Sequence, residues 1–275
     1  MQMKQSFLLG KKQKDILTII VYLAFIYFMI GFIIKETQLT VKITYVCILI
    51  FFSFIAFYYE YLKKLYEKAT LALIEECNPQ KGINIIDKLK SKDIFRSFKQ
   101  SIIIFKLLAY RDLNDYDKMY SILQSLKKKE YSSSYDMLLI YHYSYLLIYN
   151  HNKDIENMES TYNKVMELQY KRKGFKKVSP LISWEEATAR YYFTKGLYKE
   201  SKKHMDSVSI DNMNKREKAH YYFLTGKIAL AGKRIKQAKQ AFSKVIELAP
   251  LMDASNESQE YITQFGAKKR TNGGY

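Results

Sequence analysis

From Ile16 to Ile34 the chain runs 19 residues without a charge, with Thr18 almost the only polar side chain. A second run from Ile43 to Tyr59 adds 17 more. At the rise of an α-helix these span roughly 28 and 26 Å, close to a hydrocarbon core of about 30 Å. A helix of a soluble protein keeps a polar stripe, and neither run has one. The first run is also longer than a signal-peptide core, and no small-x-small cleavage site follows it. Both are read as transmembrane helices, over residues 16–34 and 43–61. The connector KETQLTVK at 35–42 is short enough to make them an antiparallel hairpin.

Lysine sets the orientation. Lys4, Lys11, Lys12 and Lys14 precede the hairpin and Lys63, Lys64 and Lys68 follow it, whereas the connector has only Lys35 and Lys42. The positive-inside rule places residues 1–15 and everything after residue 61 in the cytoplasm of a two-pass protein of the cell membrane. No charge lies inside either helix, which argues for an anchor rather than an ion or proton pathway.

The remainder is read as all-α. With 10 Gly and 3 Pro in 275 residues, the chain lacks the turn residues of a many-stranded sandwich or barrel. From residue 62 to 265 amphipathic helical segments alternate with short polar turns, and 266–275 is expected to be a disordered tail. Four helices carry one spacing of apolar and small residues, with offsets of three, four and three. These are Pro79-Gly82-Ile86-Leu89, Tyr116-Met119-Leu123-Leu126, Ile155-Met158-Tyr162-Val165 and Tyr198-Ser201-Met205-Val208. With Ala238 in a fifth, the second positions are 37, 39, 43 and 37 residues apart.

The fifth unit, AHYYFLTGKIALAGKRIKQAKQAFSKVIELAP from Ala219 to Pro250, resembles a tetratricopeptide repeat (TPR). Gly226 stands where the first helix needs a small residue, Ala238 faces it, Phe242 continues the buried ridge and Pro250 ends the unit. Tyr222, Thr225 and Ala229 depart from the usual Trp, Leu and Tyr. The resemblance implies an α-solenoid of about five helix pairs, whose apolar faces are buried only by stacking. It also implies a bacterial membrane-anchored scaffold or adaptor that binds a protein or peptide. The expected partner groove is lined by Tyr143, Asn150, Arg190, Phe193, Phe223 and Lys227.

The net charge of +18 raises an alternative, a regulator associated with nucleic acid or anionic lipid. Only seven of the 45 basic residues are Arg, the side chain that reads phosphate and guanine best, so nucleic acid is disfavoured. The most basic segment is an insertion, KRKGFKKVSP, which lengthens one repeat step. It carries Lys171, Arg172, Lys173, Lys176 and Lys177 without an acid. Either a solvated loop or a contact with anionic headgroups accounts for it. Catalysis is not expected: the four His residues share no ligand spacing, and no nucleotide, zinc or nucleophile motif is present. No cofactor or metal is expected. Cys47 and Cys77 read as small apolar residues.

Overall fold

Long apolar runs and short amphipathic ones give different helices, and the structure separates them. It is a computed structural model that describes residues 2–173, 176–177 and 182–271, with side chains over 16–17, 19–171 and 182–264. Its secondary structure is all-helical apart from one four-residue β-ladder, and it divides into two units, Met1–Leu65 and Tyr66–Tyr275.

In the first unit, α1 (Gln2–Lys35) is followed by α2 (Leu39–Ile74), whose C-terminal turns belong to the second unit. The link between them is shorter than the eight residues expected. Only Glu36–Gln38 leave the helix, because the Glu36 carboxylate accepts from the N–H groups of Thr37 and Gln38, both at 2.9 Å. Phe25 meets Phe52 and Phe32 meets Tyr45, each with ring centroids 5.9 Å apart, so α1 packs on α2. Most of the large apolar side chains on both helices remain exposed. Among the described residues α2 is the one helix long and apolar enough to cross a membrane, and Ile19–Lys35 is a shorter apolar stretch of α1.

The second unit is built of short helices that pack on their neighbours in sequence. After the end of α2 come α3 (Pro79–Lys92), α4 (Lys99–Asp112) and α5 (Tyr116–Ser125). Then follow α6 (Lys128–Tyr131), α7 (Tyr135–Asn152), α8 (Ile155–Leu168), α9 (Trp184–Thr194) and α10 (Tyr198–Asp206). The last are α11 (Lys215–Ala231), α12 (Ile235–Leu248) and α13 (Asp253–Thr271). The pairs α4–α5, α7–α8, α9–α10 and α11–α12 are helical hairpins.

Five junctions share one backbone solution. Each helix before a turn ends on a left-handed residue: Cys77, Asn114, Lys153, Gly196 and Lys233, with φ between 49° and 75°. The N–H of the next residue donates back to a carbonyl in the last turn, as in Asp115 to Tyr110, Asp154 to Tyr149, Leu197 to Tyr192 and Arg234 to Ala229, at 2.8–2.9 Å. This closes the exposed end of the helix in the manner of a C-terminal capping motif. Asn78, Asp115 and Asp154 then cap the following helix, each accepting from the N–H three residues on. The five turns lie 37, 39, 43 and 37 residues apart. Five residues beyond each is Gly82, Met119, Met158, Ser201 or Ala238, and all five are buried.

The side chains around those positions explain the spacing. A Cβ on Gly226 would stand 2.6 Å from Cε1 of Phe242, and one on Gly82 2.8 Å from Cζ of Phe105. Each glycine therefore receives a phenylalanine ring from the next helix. The Ser201 hydroxyl donates to the carbonyl of Ala189 at 2.7 Å, joining α10 to α9. The first position of the spacing is less buried than expected. Ile155 is 39% exposed and Tyr198 41%, whereas Pro79 at the equivalent place is buried.

The ends of the chain differ from expectation. Residues 266–271 are helical as the last turns of α13, since Ala, Lys and Arg are good helix formers, and only the final four tail residues lie outside the described ones. In the basic insertion, Arg172–Lys173 (β1) pairs antiparallel with Lys176–Lys177 (β2), in the register Arg172 to Lys177. Residues 174–175 and 178–180 of the insertion lie outside the described residues.

Candidate functional site

The expected groove is occupied by the protein's own charges. Asp112, the last residue of α4, is fully enclosed. Its Oδ1 accepts from Nη2 of Arg216 at 2.8 Å and from His220 at 2.7 Å, and its Oδ2 accepts from Nε of Arg216. Arg216 Nη2 also donates to the carbonyl of Leu108 at 3.2 Å. One residue earlier, Arg111 donates to Glu186 of α9 at 3.1 Å, and Arg190 donates to the same carboxylate oxygen through Nε at 3.0 Å and Nη2 at 2.9 Å. Two buried clusters thus clasp α4, α9 and α11 together across chain separations of 75 and 104 residues.

Burial alone would raise the Asp112 carboxyl, but the Arg216 charge and the His220 hydrogen bond hold it below the usual carboxylate range. Burial likewise opposes ionisation of Glu186, yet Arg190 and Arg111 bring it down to about 2. His220 is pushed down to about 4, first by burial and then by the Arg111 charge. It is therefore neutral near pH 7, and its Nε2–H must donate, because the ionised Asp112 can only accept. Among the described residues the hydrogen bonds given to the two carboxylates come from Arg111, Arg190, Arg216 and His220. Cys77 lies near, but burial first and the Asp112 charge second lift its thiol to about 11, out of the reactive range.

This arrangement corrects the groove read from the sequence. Tyr143 is 2% exposed, in the core of α7 with the Arg111 guanidinium 5.5 Å from its ring centre, so it presents no surface. Phe223 is 8% exposed and tilted against Phe242, with centroids 6.1 Å apart. Asn150 spends its amide on the carbonyl of Arg190 at 3.3 Å and the hydroxyl of Thr194 at 2.5 Å. Lys227 lies 5.1 Å over the Phe223 ring and 4.0 Å from Glu257 of α13. Phe193 is half-buried against Tyr198. On the expected face, burial first and the Arg190 charge last depress the pKa of Lys227, against the opposing pull of Glu257. What fails is the openness of that face, because the first helices turn inward and meet.

Closure extends to the ends of the unit. Cys77 at the first turn packs with Ala219, Ala249 and Met252 from its last elements. Asn114 at the second turn donates to Asp253 at 2.5 Å and Glu257 at 2.7 Å on α13. The tyrosine series Tyr141, Tyr145 and Tyr149 packs as a half-buried ladder, with Tyr131 stacked on Tyr141 at 4.0 Å.

Two clefts of about 670 Å³ each lie elsewhere in the second unit. One, between α3, α4 and α5, is rimmed by Lys90, Arg96, Lys106 and Lys118 over Ile103 and Ile122. The other follows the turn edge of the α4–α5 and α7–α8 hairpins and is lined by Tyr116, Tyr120, Tyr149, His151 and Asp117. His151 stacks on Tyr116 with centroids 4.2 Å apart. Sequence reasoning missed this cleft, although the recurrence of Tyr and Asp around two equivalent turns was a usable signal. Comparison with protein families, characterised proteins and solved structures finds no match.

Proposed function

We propose that the chain is a membrane-anchored, non-catalytic scaffold or adaptor, whose second unit is a self-closed array of TPR-like helix pairs that binds a protein or peptide. The observation that carries this reading is the recurrence of one left-handed turn at 37, 39, 43 and 37 residues, each followed after five residues by a buried residue. Stacked helix pairs of this kind have no interior built for chemistry and offer extended surfaces to partners. The anchoring half of the reading is supported by α2, and by the uncharged run of α1 that precedes it. Lysine asymmetry favours a two-pass hairpin with both ends cytoplasmic.

With the inner face engaged, the turn-edge cleft of Tyr116, Tyr120 and Tyr149 is the better partner site. Tyrosine supplies a large contact area at low entropic cost, and Asp117 adds a charge for a cationic segment. The test is photocrosslinking in native membranes, from a benzophenone amino acid placed at Tyr120, with a second site at Glu260 as control. A discrete protein adduct at Tyr120 that is absent at Glu260 is expected. Adducts to nucleic acid, or none at either site, would overturn the scaffold reading.

A further inference from the structure

The cleft between α3, α4 and α5 combines an aliphatic lining with an excess of positive charge. Its apolar side chains include Ile102, Ile103, Ile122 and Leu126. Five of its lining residues are cations and two are acids. Both acids are already engaged. Asp93 accepts from the N–H groups of Ser97 at 2.9 Å and Phe98 at 2.8 Å. Glu130 accepts from the N–H of Lys127 at 2.8 Å and pairs with Lys99. Among the cations, Lys106 pairs with Asp87 at 2.5 Å while only 17% of its side chain is exposed. Lys118 pairs with Asp115 at 2.6 Å. Lys90 and Arg96 are exposed and have no ion-pair partner among the described residues. The cleft therefore offers two uncommitted positive charges and a nearly enclosed ammonium beside aliphatic surface.

We infer that this cleft binds an acidic peptide segment bearing an aliphatic side chain. Its carboxylates meet Lys90, Arg96 and Lys106, and its apolar group lies on Ile103 and Ile122. Complementary charge selects the segment and fixes its register, while burial of the apolar group supplies most of the energy. The volume of about 670 Å³ is that of an ordinary ligand pocket. Single-stranded nucleic acid fits less well, because it binds by stacking its bases on aromatic faces. The aromatic ring that lines the cleft, Tyr110, already has the Lys118 ammonium 5.3 Å from its centre. An anionic lipid gathers its charge at one end, whereas these cations come from α3, α4 and α5 alike. The cleft is built by two second helices and the α4 between them, so it is separate from the clusters at Asp112 and Glu186. Its preference is the reverse of the turn-edge cleft, and it needs neither that cleft nor the membrane anchor.

The probe is a fluorescein-labelled, glutamate-rich peptide with two leucines at its centre, titrated by fluorescence anisotropy into the full chain in nonionic detergent. Binding is expected to weaken about tenfold in Lys90→Glu/Arg96→Glu, in Lys106→Met, and when serine replaces leucine in the peptide. Glu130→Gln keeps the acceptor for the Lys127 N–H and releases Lys99, so it should tighten binding several-fold. Misfolding does not produce such a gain, and its absence overturns the site even where the other variants lose structure. Because the whole chain is basic, Lys236→Glu/Lys239→Glu makes the same change of charge at exposed positions of α12 and is expected to leave affinity unaltered. An equal loss there means that net charge alone attracts the peptide, which overturns the cleft. Unchanged affinity in a correctly folded Lys90→Glu/Arg96→Glu variant overturns it as well. A single-stranded oligonucleotide or short-chain phosphatidylglycerol that binds more tightly than the peptide, and is weakened by the same variants, assigns the cleft to that ligand instead. The Tyr120 crosslink is read separately: its absence removes the turn-edge site and leaves these titrations standing.

Discussion

Arg216, in the first turn of α11, grips both carboxylate oxygens of Asp112, the last residue of α4, although 104 residues separate them. Each partner has almost no other access to solvent, so the pair is a commitment of the fold rather than a surface ornament. Removing one member leaves the other charged and buried, which typically costs about 3–5 kcal/mol. Arg216→Met is therefore expected to lower stability by that order, while Lys236→Met, at an exposed position of α12, changes it by less than about 0.5 kcal/mol. Chemical denaturation followed by circular dichroism checks the contrast.

Acid should loosen the unit in two stages. His220 binds its proton near pH 4 when folded and near 6.5 when unfolded, so the unfolded chain holds more protons between those values. Stability is then complete above pH 6.5 and falls as pH drops toward 4, by about 3 kcal/mol for a shift of this size. Glu186 adds a second loss between 4.5 and about 2. Melting temperature against pH is the measurement. His220→Gln should flatten the first stage and leave the second.

Gly226 and Gly82 should respond alike to enlargement. Each receives a phenylalanine ring closer than any Cβ contact allows, and those rings are enclosed rather than at the end of a flexible chain. Gly226→Leu and Gly82→Leu are each expected to cost about 1–3 kcal/mol or more. Proteolysis should first open the α3–α4 contact in Gly82→Leu and the α11–α12 contact in Gly226→Leu. Gly31, with nothing near its missing side chain, is the control: Gly31→Ala should have no such effect.

Thr225 offers a gain. Its hydroxyl is buried without a hydrogen-bond partner, on α11 one residue before the packing glycine. Thr225→Val keeps the shape and removes the orphan group, so stability should rise by about 1 kcal/mol, read as a higher melting temperature.

Anchoring is checked by labelling intact cells with an impermeant thiol reagent, with single cysteines at Thr40 and Glu260 and without Cys47. Both introduced sites are exposed. Labelling of Thr40→Cys alone is expected for the two-pass orientation, and labelling of Glu260→Cys alone reverses it.

What was legible in the sequence was what is local. Helical periodicity carried Met119, Met158, Ser201 and Ala238 to the buried ridge, and an uncharged run of 17 residues made α2 conspicuous. The need for a small residue at Gly226 was also readable within one hairpin, although it is Phe242 rather than the expected Ala238 that meets it. Closure was not. Arg111, Glu186 and Arg216 look like any charges on amphipathic helices, and His220 looked solitary. Only the accumulated rotation of several hairpins brings them together, and rotation per repeat depends on packing angles that residue spacing does not encode. Tyr143 went astray for the same reason: a position that is exposed in an open array is interior in one that folds back on itself.

The two clusters at Asp112 and Glu186 also settle a matter of arithmetic. An array of stacked hairpins ordinarily has no preferred length, because each unit meets only its neighbours and another can be added at either end. Here the second hairpin holds the fifth by a named charge, and the first turn touches the last helices. Insert or delete a hairpin between them and Asp112 loses its guanidinium. The number of helix pairs between α4 and α11 is thereby tied to a single buried contact, and a change in that number would be felt first as an unpaired charge.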